Sequence, residues 1–211
     1  MCATAHIHCE CTDGSVTCQL WTAKARVAPL RKLTIPKLEL QAAVLGTRLC
    51  KSVMKNSIWE FSEVHRIVDS ECTLLTLKKD TLKLPEFQSN RVGECMESSD
   101  ISEWFHTRSK NNIADLGTRN EATVQSISEE SEWQRGKQWM YLPVDQWPVT
   151  QDIQNSHNVS CCIGEDVVEI TAVATAAEPP VFDFEAMKKQ TYQFVIKLVA
   201  IVFKMGRSKW I

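Results

Sequence analysis

The sequence contains no long apolar segment. Its most apolar run, Phe194 to Phe203, is ten residues long and includes Lys197, whereas a membrane-spanning helix needs about 20 apolar residues. The first residues contain neither a basic segment nor a long apolar run, so we expect no secretory signal peptide. These absences argue against a membrane protein and predict an intracellular location, in a cytoplasmic particle or the nucleus.

Two signatures of other site types are also missing. The nine cysteines form no Cys-x-x-Cys pair, and strand alternation separates His6 and His8 from Cys9 and Cys11, which disfavours a zinc site. Neither Asp-Thr-Gly nor Asp-Ser-Gly occurs, which excludes an aspartic peptidase. In an intracellular chain of 211 residues we expect the thiols to be reduced.

Charge is segregated along the chain, although the formal net charge is only −2. Residues 24–55 carry eight Lys or Arg and one acid, whereas residues 120–182 carry ten acids and two bases. This asymmetry is compatible with a nucleic-acid-binding face and an acidic connector, although solvated charged surfaces are common. The residues that we expect to contact nucleic acid are Arg26, Lys32, Asn111 and Arg119.

Apolar periodicity and turn residues predict a mixed α/β sheet flanked by helices. Residues 121–150 form a Trp-rich, irregular extension, residues 151–182 an acidic linker, and residues 183–211 a helical segment. Within residues 1–120, the expected elements are a hairpin over 1–28 with its turn at Asp13-Gly14, helices over 34–53, 72–79 and 87–96, strands over 64–68 and 101–107, and a helix or turn over 111–119.

Three carboxylates in this pattern indicate a metal site. Glu39 adjoins the apolar stripe of a helix, Asp69 ends an apolar strand, and Asp115 opens the segment after the next strand. Oxygen ligands of this kind suit Mg²⁺, and two such ions about 3.5–4 Å apart can promote phosphodiester cleavage. The structural alternative is a helix acid that favours the macrodipole for Glu39 and a helix cap for the two aspartates. We interpret His106, within a strand, as structural rather than as a proton shuttle.

Several ordered motifs carry a family resemblance. They are Ala23-Lys-Ala-Arg-Val-Ala-Pro-Leu30, Thr34-Ile-Pro-Lys-Leu-Glu-Leu40, Val68-Asp69-Ser70, Asn90-Arg-Val92 and Ser109-Lys-Asn-Asn-Ile-Ala-Asp-Leu-Gly-Thr-Arg119. In identity and spacing they resemble the ribonuclease H-like region of BEL/Pao long-terminal-repeat retrotransposon Pol polyproteins. The resemblance covers about residues 1–150, including Trp133-x-x-Gly136-x-x-Trp139. Residues 183–211 are more weakly similar to the stretch leading toward an integrase region, which is absent here.

The resemblance implies a ribonuclease H-like fold over residues 1–120. It also implies four carboxylates holding two Mg²⁺ (or Mn²⁺) ions that hydrolyse the RNA of RNA–DNA hybrids. Carried over by position, Glu39, Asp69 and Asp115 are three of the four. The family's first aspartate falls on a strand upstream of Met1, so we expect an N-terminally truncated sheet without its central strand.

Without that aspartate we expect an impaired magnesium-dependent endoribonuclease; the alternative is a catalytically dead remnant that at most binds nucleic acid. The partners implied are an RNA–DNA hybrid and, in an intact element, the reverse transcriptase and integrase regions of the same polyprotein.

Overall fold

A six-stranded mixed sheet organises the chain. The computed structural model describes residues 1–11, 13–30, 33–118 and 123–153, together with the backbone of Val195–Val202. The strands are β1 (Cys2–Glu10), β2 (Val16–Ala25), β3 (Glu63–Val68), β4 (Trp104–Thr107), β5 (Val149–Thr150) and β6 (Val195–Val202). The α-helices are α1 (Ile35–Asn56), α2 (Glu71–Leu77), α3 (Glu86–Met96) and α4 (Glu132–Arg135).

The strand order is β2-β1-β6-β3-β4-β5, with β3 parallel to both β4 and β6. The predicted N-terminal hairpin is confirmed, with β1 and β2 antiparallel. Its turn uses Gly14 at φ +82°, a backbone region that glycine enters without steric cost. Asp13 stabilises the turn because its Oδ1 accepts the Ser15 amide at 2.9 Å. This end of the hairpin lies away from the carboxyl end of β3.

The C-terminal strand β6 corrects two of our expectations. The helix predicted over 183–211 is wrong at Val195–Val202, where the chain is a strand. The centre of the sheet, expected to lack a strand, is occupied by β6, which pairs antiparallel with β1 and parallel with β3. Five of the eight residues of β6 are Val or Ile, whose stiff side chains favour strands. The rest of the predicted helix, and residues 154–182 of the predicted linker, lie outside the described residues.

Helix α1 covers one face of the sheet, as its periodicity predicted. Leu38, Ala42, Leu45 and Leu49 are all buried on its inner face. Leu45 and Leu49 pack with Ala3 and Ala5 of β1 and neighbouring apolar side chains, and α3 packs beside α1. Pro36 is tolerated because the first helical turn needs no donor from that position. The packing of α1 against the sheet fixes where the residues of α1 lie relative to the edge of the sheet.

The opposite face is covered by the segment after β4. This segment is largely 3₁₀ helix, and two of its tryptophans, Trp139 and Trp147, are 9% and 5% exposed. Trp147 Nε1 donates to the Leu142 carbonyl at 2.9 Å, so its polar edge is satisfied while its ring is buried. The irregular Trp-rich extension is therefore packed against the sheet. The 3₁₀ helices of this side are Ser109–Asn111, Ile113–Thr118, Val124–Ile127, Gln138–Tyr141 and Val144–Gln146.

One buried cation lies between the sheet and the helices. The side chain of Arg66 in β3 is 2% exposed and forms an ion pair with Glu103. It also donates to the Ser98 carbonyl at 3.2 Å. Burial lowers the pKa of Arg66 below its usual value, and the neighbouring Cys50 thiol opposes that change. Among the helices of the described residues, none is long and apolar enough to cross a membrane.

Candidate active site

Glu39 lies in the second turn of α1, between the buried Leu38 and Leu40. Its own side chain is half-buried, because the helix turns it from the apolar face toward the start of α2. Ser70 Oγ donates a hydrogen bond to Glu39 Oε2 at 2.5 Å. A carboxylate on the rim of an apolar face therefore has a polar partner, which offsets part of the cost of its burial.

Asp69 and Ser70 immediately follow the last residue of β3, Val68. Ser70 is the N-cap of α2 and accepts the Thr73 amide at 3.2 Å. The same hydroxyl contacts Glu39, so Asp69 and Glu39 lie at one place, the carboxyl end of β3. Ligand sites in open α/β sheets form at this end of the strands.

His106 lies beside this edge. It pairs in register with Val68 across the parallel strands β3 and β4, and it makes a hydrogen bond with the backbone of Asp69. Burial lowers the pKa of His106 below its usual value, whereas the charge of Glu71 and the Asp69 hydrogen bond raise it. The sequence reading treated His106 as structural. The neighbouring parallel strands β3 and β4 end at the same edge of the sheet. Their register, which only the structure provides, therefore places His106 next to Asp69.

Asp115 is on a different element. It lies in the 3₁₀ helix Ile113–Thr118, whose Ile113 is buried on the sheet face opposite α1. Close packing holds this helix in place: a Cβ at Gly117 would approach Cys2 Sγ to 2.5 Å. The structure thus places Glu39 against Ser70, the residue that follows Asp69, and puts Asp115 on a separate element.

The carboxylates of the candidate site can be compared with the ligands that Mg²⁺ requires. Magnesium is commonly held by one or two carboxylates, with water and substrate phosphates completing the octahedron. Glu39 and Asp69 provide two carboxylates near the carboxyl end of β3. In the part of the chain that the structure describes, no group of three or more His, Cys, Asp or Glu side chains could hold a metal ion.

The structure describes two of the four residues that we predicted to contact nucleic acid. Arg26 is exposed just after β2, with its amide bound to the Met1 carbonyl at 2.8 Å. Asn111 is half-buried, and its carbonyl accepts Trp139 Nε1 at 3.2 Å, so it anchors the Trp-rich segment. Lys32 and Arg119 lie outside the described residues.

Comparison with known families identifies the N-terminal part of the chain. Residues 1–70 match the family model described as a Pao retrotransposon-like RNaseH-like domain. The match spans the hairpin, α1 and β3, and ends at Ser70, so it contains both Glu39 and Asp69. Comparisons with curated proteins and with solved structures gave no significant match.

Proposed function

We propose that this chain, whose residues 1–70 are a Pao retrotransposon ribonuclease H-like region, is a Pol-derived domain that binds RNA–DNA hybrids and hydrolyses them poorly. The observation that carries the proposal is the placement of Glu39 and Asp69 at the carboxyl end of β3, within the residues that match the family. The partners would be an RNA–DNA hybrid and, in an intact element, the reverse transcriptase and integrase regions of the same polyprotein.

The central strand supports weak hydrolysis. In two-metal cleavage the two ions stabilise the attacking and the leaving oxygens of the reacting phosphate, and carboxylates hold the ions. β6 contains neither Asp nor Glu in its sequence, Val-Ile-Lys-Leu-Val-Ala-Ile-Val. A strand at the centre of the sheet therefore adds no acidic ligand. Mg²⁺, or Mn²⁺ in its place, would be held by Glu39 and Asp69 and would neutralise charge on the phosphate.

A second candidate is effective hydrolysis of the RNA strand, and the same two carboxylates favour it. Ser70 keeps Glu39 oriented, and the His106 ring lies beside the Asp69 backbone. A neutral imidazole at this edge can accept or return a proton. Asp115, on the 3₁₀ helix Ile113–Thr118, would then contribute a third carboxylate.

A cleavage assay with the full chain separates the two candidates. A labelled RNA–DNA hybrid is incubated in Mg²⁺ or Mn²⁺ with the chain and with Glu39→Gln/Asp69→Asn as a matched control. We expect the chain to bind the hybrid and to cleave it slowly, at a rate only a little above that of the control. Rapid and complete cleavage that the double substitution abolishes would establish the effective hydrolase instead. Absence of any hybrid binding at low salt would refute both candidates.

A further inference from the structure

The centre of the sheet is built from two distant parts of the chain. β1 and β3 lie in the N-terminal third of the sequence, whereas β6 lies near its C-terminal end. In the strand order β6 stands between β1 and β3, and among the described strands these two do not pair with each other. β1 and β3 are therefore the two walls of a groove, and β6 is the strand that fills it.

The pairing of β6 extends along the whole of this groove. β6 runs antiparallel to β1 from the pair Glu10–Val195 to the pair Ala3–Val202. It runs parallel to β3 over all of Glu63–Val68. A strand that left the groove would leave a row of unpaired N–H and C=O groups on each wall. The groove without a strand would thus present two open edges.

The wall formed by β1 has none of the features that protect an open edge. The stretch Ala3–Cys9 is buried and contains no Lys, Asp, Glu or Pro, although natural edge strands use such residues, bulges or short length to prevent pairing. The outer strands of the sheet do have these features. β2 contains Lys24 and a register shift around Trp21, and β5 is only two residues long. The groove therefore requires a strand, whereas the outer edges do not.

The sequence of β6 suits the groove. It is rich in Val and Ile, as a strand paired on both sides requires. Its only charged residue, Lys197, is in register with Glu63 of β3. Opposite charges at paired positions favour one register over the others. Every copy of the chain carries this strand, so a second copy offers the groove the same sequence and the same register.

The connection to β6 is long enough to reach either groove. Ile153 packs against the cluster that contains Val68, the last residue of β3. Val195 lies near the other end of β3, because Lys197 is in register with Glu63. The connection must therefore cover the length of β3, roughly 20 Å. A chain with the length of residues 154–194 can span up to roughly 130 Å, which also allows β6 to enter the groove of a neighbouring copy.

We propose that the groove between β1 and β3 accepts β6 from a second copy of this chain, so that two copies exchange the strand and form a symmetric dimer. The pairing of β6 is the same in both forms, so the exchange removes no strand pairing. The monomer is favoured at low protein concentration, because association costs translational and rotational entropy, and mass action favours the dimer at high concentration. Since Val202 pairs with Val68, directly before Asp69, the strand beside the candidate site then comes from the partner copy.

Two complementary variants of the full chain test the exchange. Ala200→Pro keeps the groove and damages the strand, whereas Ala5→Pro keeps the strand and damages the wall, since proline cannot donate to a ladder. The two are mixed in urea and refolded together, and light scattering after gel filtration and thermal melting are recorded. We expect a complex of two 24.0 kDa chains with a cooperative melt that neither variant shows alone. The matched control replaces Ala5→Pro by Ala5→Pro/Ala200→Pro, which offers no intact strand.

Reconstitution by the complementary pair and not by the control supports the proposal. A pair that folds no better than the control overturns it. If the variants aggregate, the parent chain decides, after refolding at micromolar and at near-millimolar protein concentration. A dimer that forms only at the higher concentration, survives dilution in native buffer and becomes monomeric when unfolded and refolded dilute supports the exchange, because the strand cannot leave the sheet without unfolding. A monomer at every concentration, or a dimer that dissociates at once on dilution, overturns it.

Discussion

Ser70 Oγ donates a hydrogen bond to Glu39 Oε2 at 2.5 Å and so ties the end of β3 to α1. The same oxygen accepts the Thr73 amide and caps α2. One hydroxyl therefore supports both a helix and a carboxylate of the candidate site. Changes at Ser70 should consequently affect stability and ligand binding together.

Ser70→Ala should lower the free energy of unfolding by about 2 kcal/mol, because it removes an N-cap and the partner of a half-buried carboxylate. Urea denaturation followed by circular dichroism measures the loss. Ser131→Ala is a matched control: Ser131 caps α4 through the Gln134 amide, and its hydroxyl donates to the Ser128 carbonyl rather than to a carboxylate. We expect about 1 kcal/mol there. Equal losses at the two positions would show that the Glu39 contact contributes nothing.

Metal binding should depend on Glu39 and Asp69 more than on Asp115. Glu39→Gln or Asp69→Asn should weaken Mn²⁺ binding about tenfold or more, since even residues that only support a ligand contribute that much. Asp115→Asn should have a smaller effect, because Asp115 lies on a different element, the 3₁₀ helix Ile113–Thr118. Isothermal titration calorimetry measures each dissociation constant. An equal loss in Asp115→Asn would identify a third ligand, and no saturable binding by the parent chain would refute the site.

The ion pair between the buried Arg66 and the half-buried Glu103 provides a test of the core. Glu103→Gln leaves the Arg66 charge buried without its counter-ion and should cost about 3 kcal/mol of stability. The double variant Arg66→Met/Glu103→Gln should recover part of that loss, because an apolar side chain of similar length replaces the buried charge. Denaturant melts of both single variants and the double variant measure the coupling. Additive losses would contradict the interpretation.

Stability should fall as pH falls from about 6.5 toward 4. His6 is fully buried, and burial lowers its pKa to about 4, whereas an unfolded histidine has a pKa of about 6.5. Between these values the unfolded chain binds more protons, so lowering the pH favours unfolding by up to about 3 kcal/mol. At pH above 6.5 the contribution is constant. Urea denaturation at pH 7 and pH 4.5 measures it, and His6→Gln should flatten this part of the profile.

Ala200→Pro should unfold or strongly destabilise the sheet. Ala200 pairs with Ala5 on one side and Arg66 on the other, and proline cannot donate to a ladder in a central strand. Ala200→Gly keeps the amide and is the matched control, expected to cost only about 1 kcal/mol. Circular dichroism and thermal melting report both. Native stability in Ala200→Pro would show that β6 is dispensable.

Local signals were sufficient for most elements near the N-terminus. Asp13-Gly14 fixed the hairpin turn, and the stripe of Leu38, Ala42, Leu45 and Leu49 fixed α1, because each pattern is determined within a few residues. Val195–Val202 was misread as helix for the opposite reason. A short apolar run has no clear period, and pairing with β1 and β3, far away in sequence, decides its conformation.

The same division holds for the candidate site. The sequence by itself determined most elements near the N-terminus, a family resemblance that the family model matches over residues 1–70, and Glu39 and Asp69 as candidates, since motif and local periodicity suffice for these. Only the tertiary structure decided that Ser70, next to Asp69, contacts Glu39, and that Arg26 and Arg91 line one cavity. The physical reason is that such contacts depend on strand order and register. Both are set by packing between distant segments of the chain.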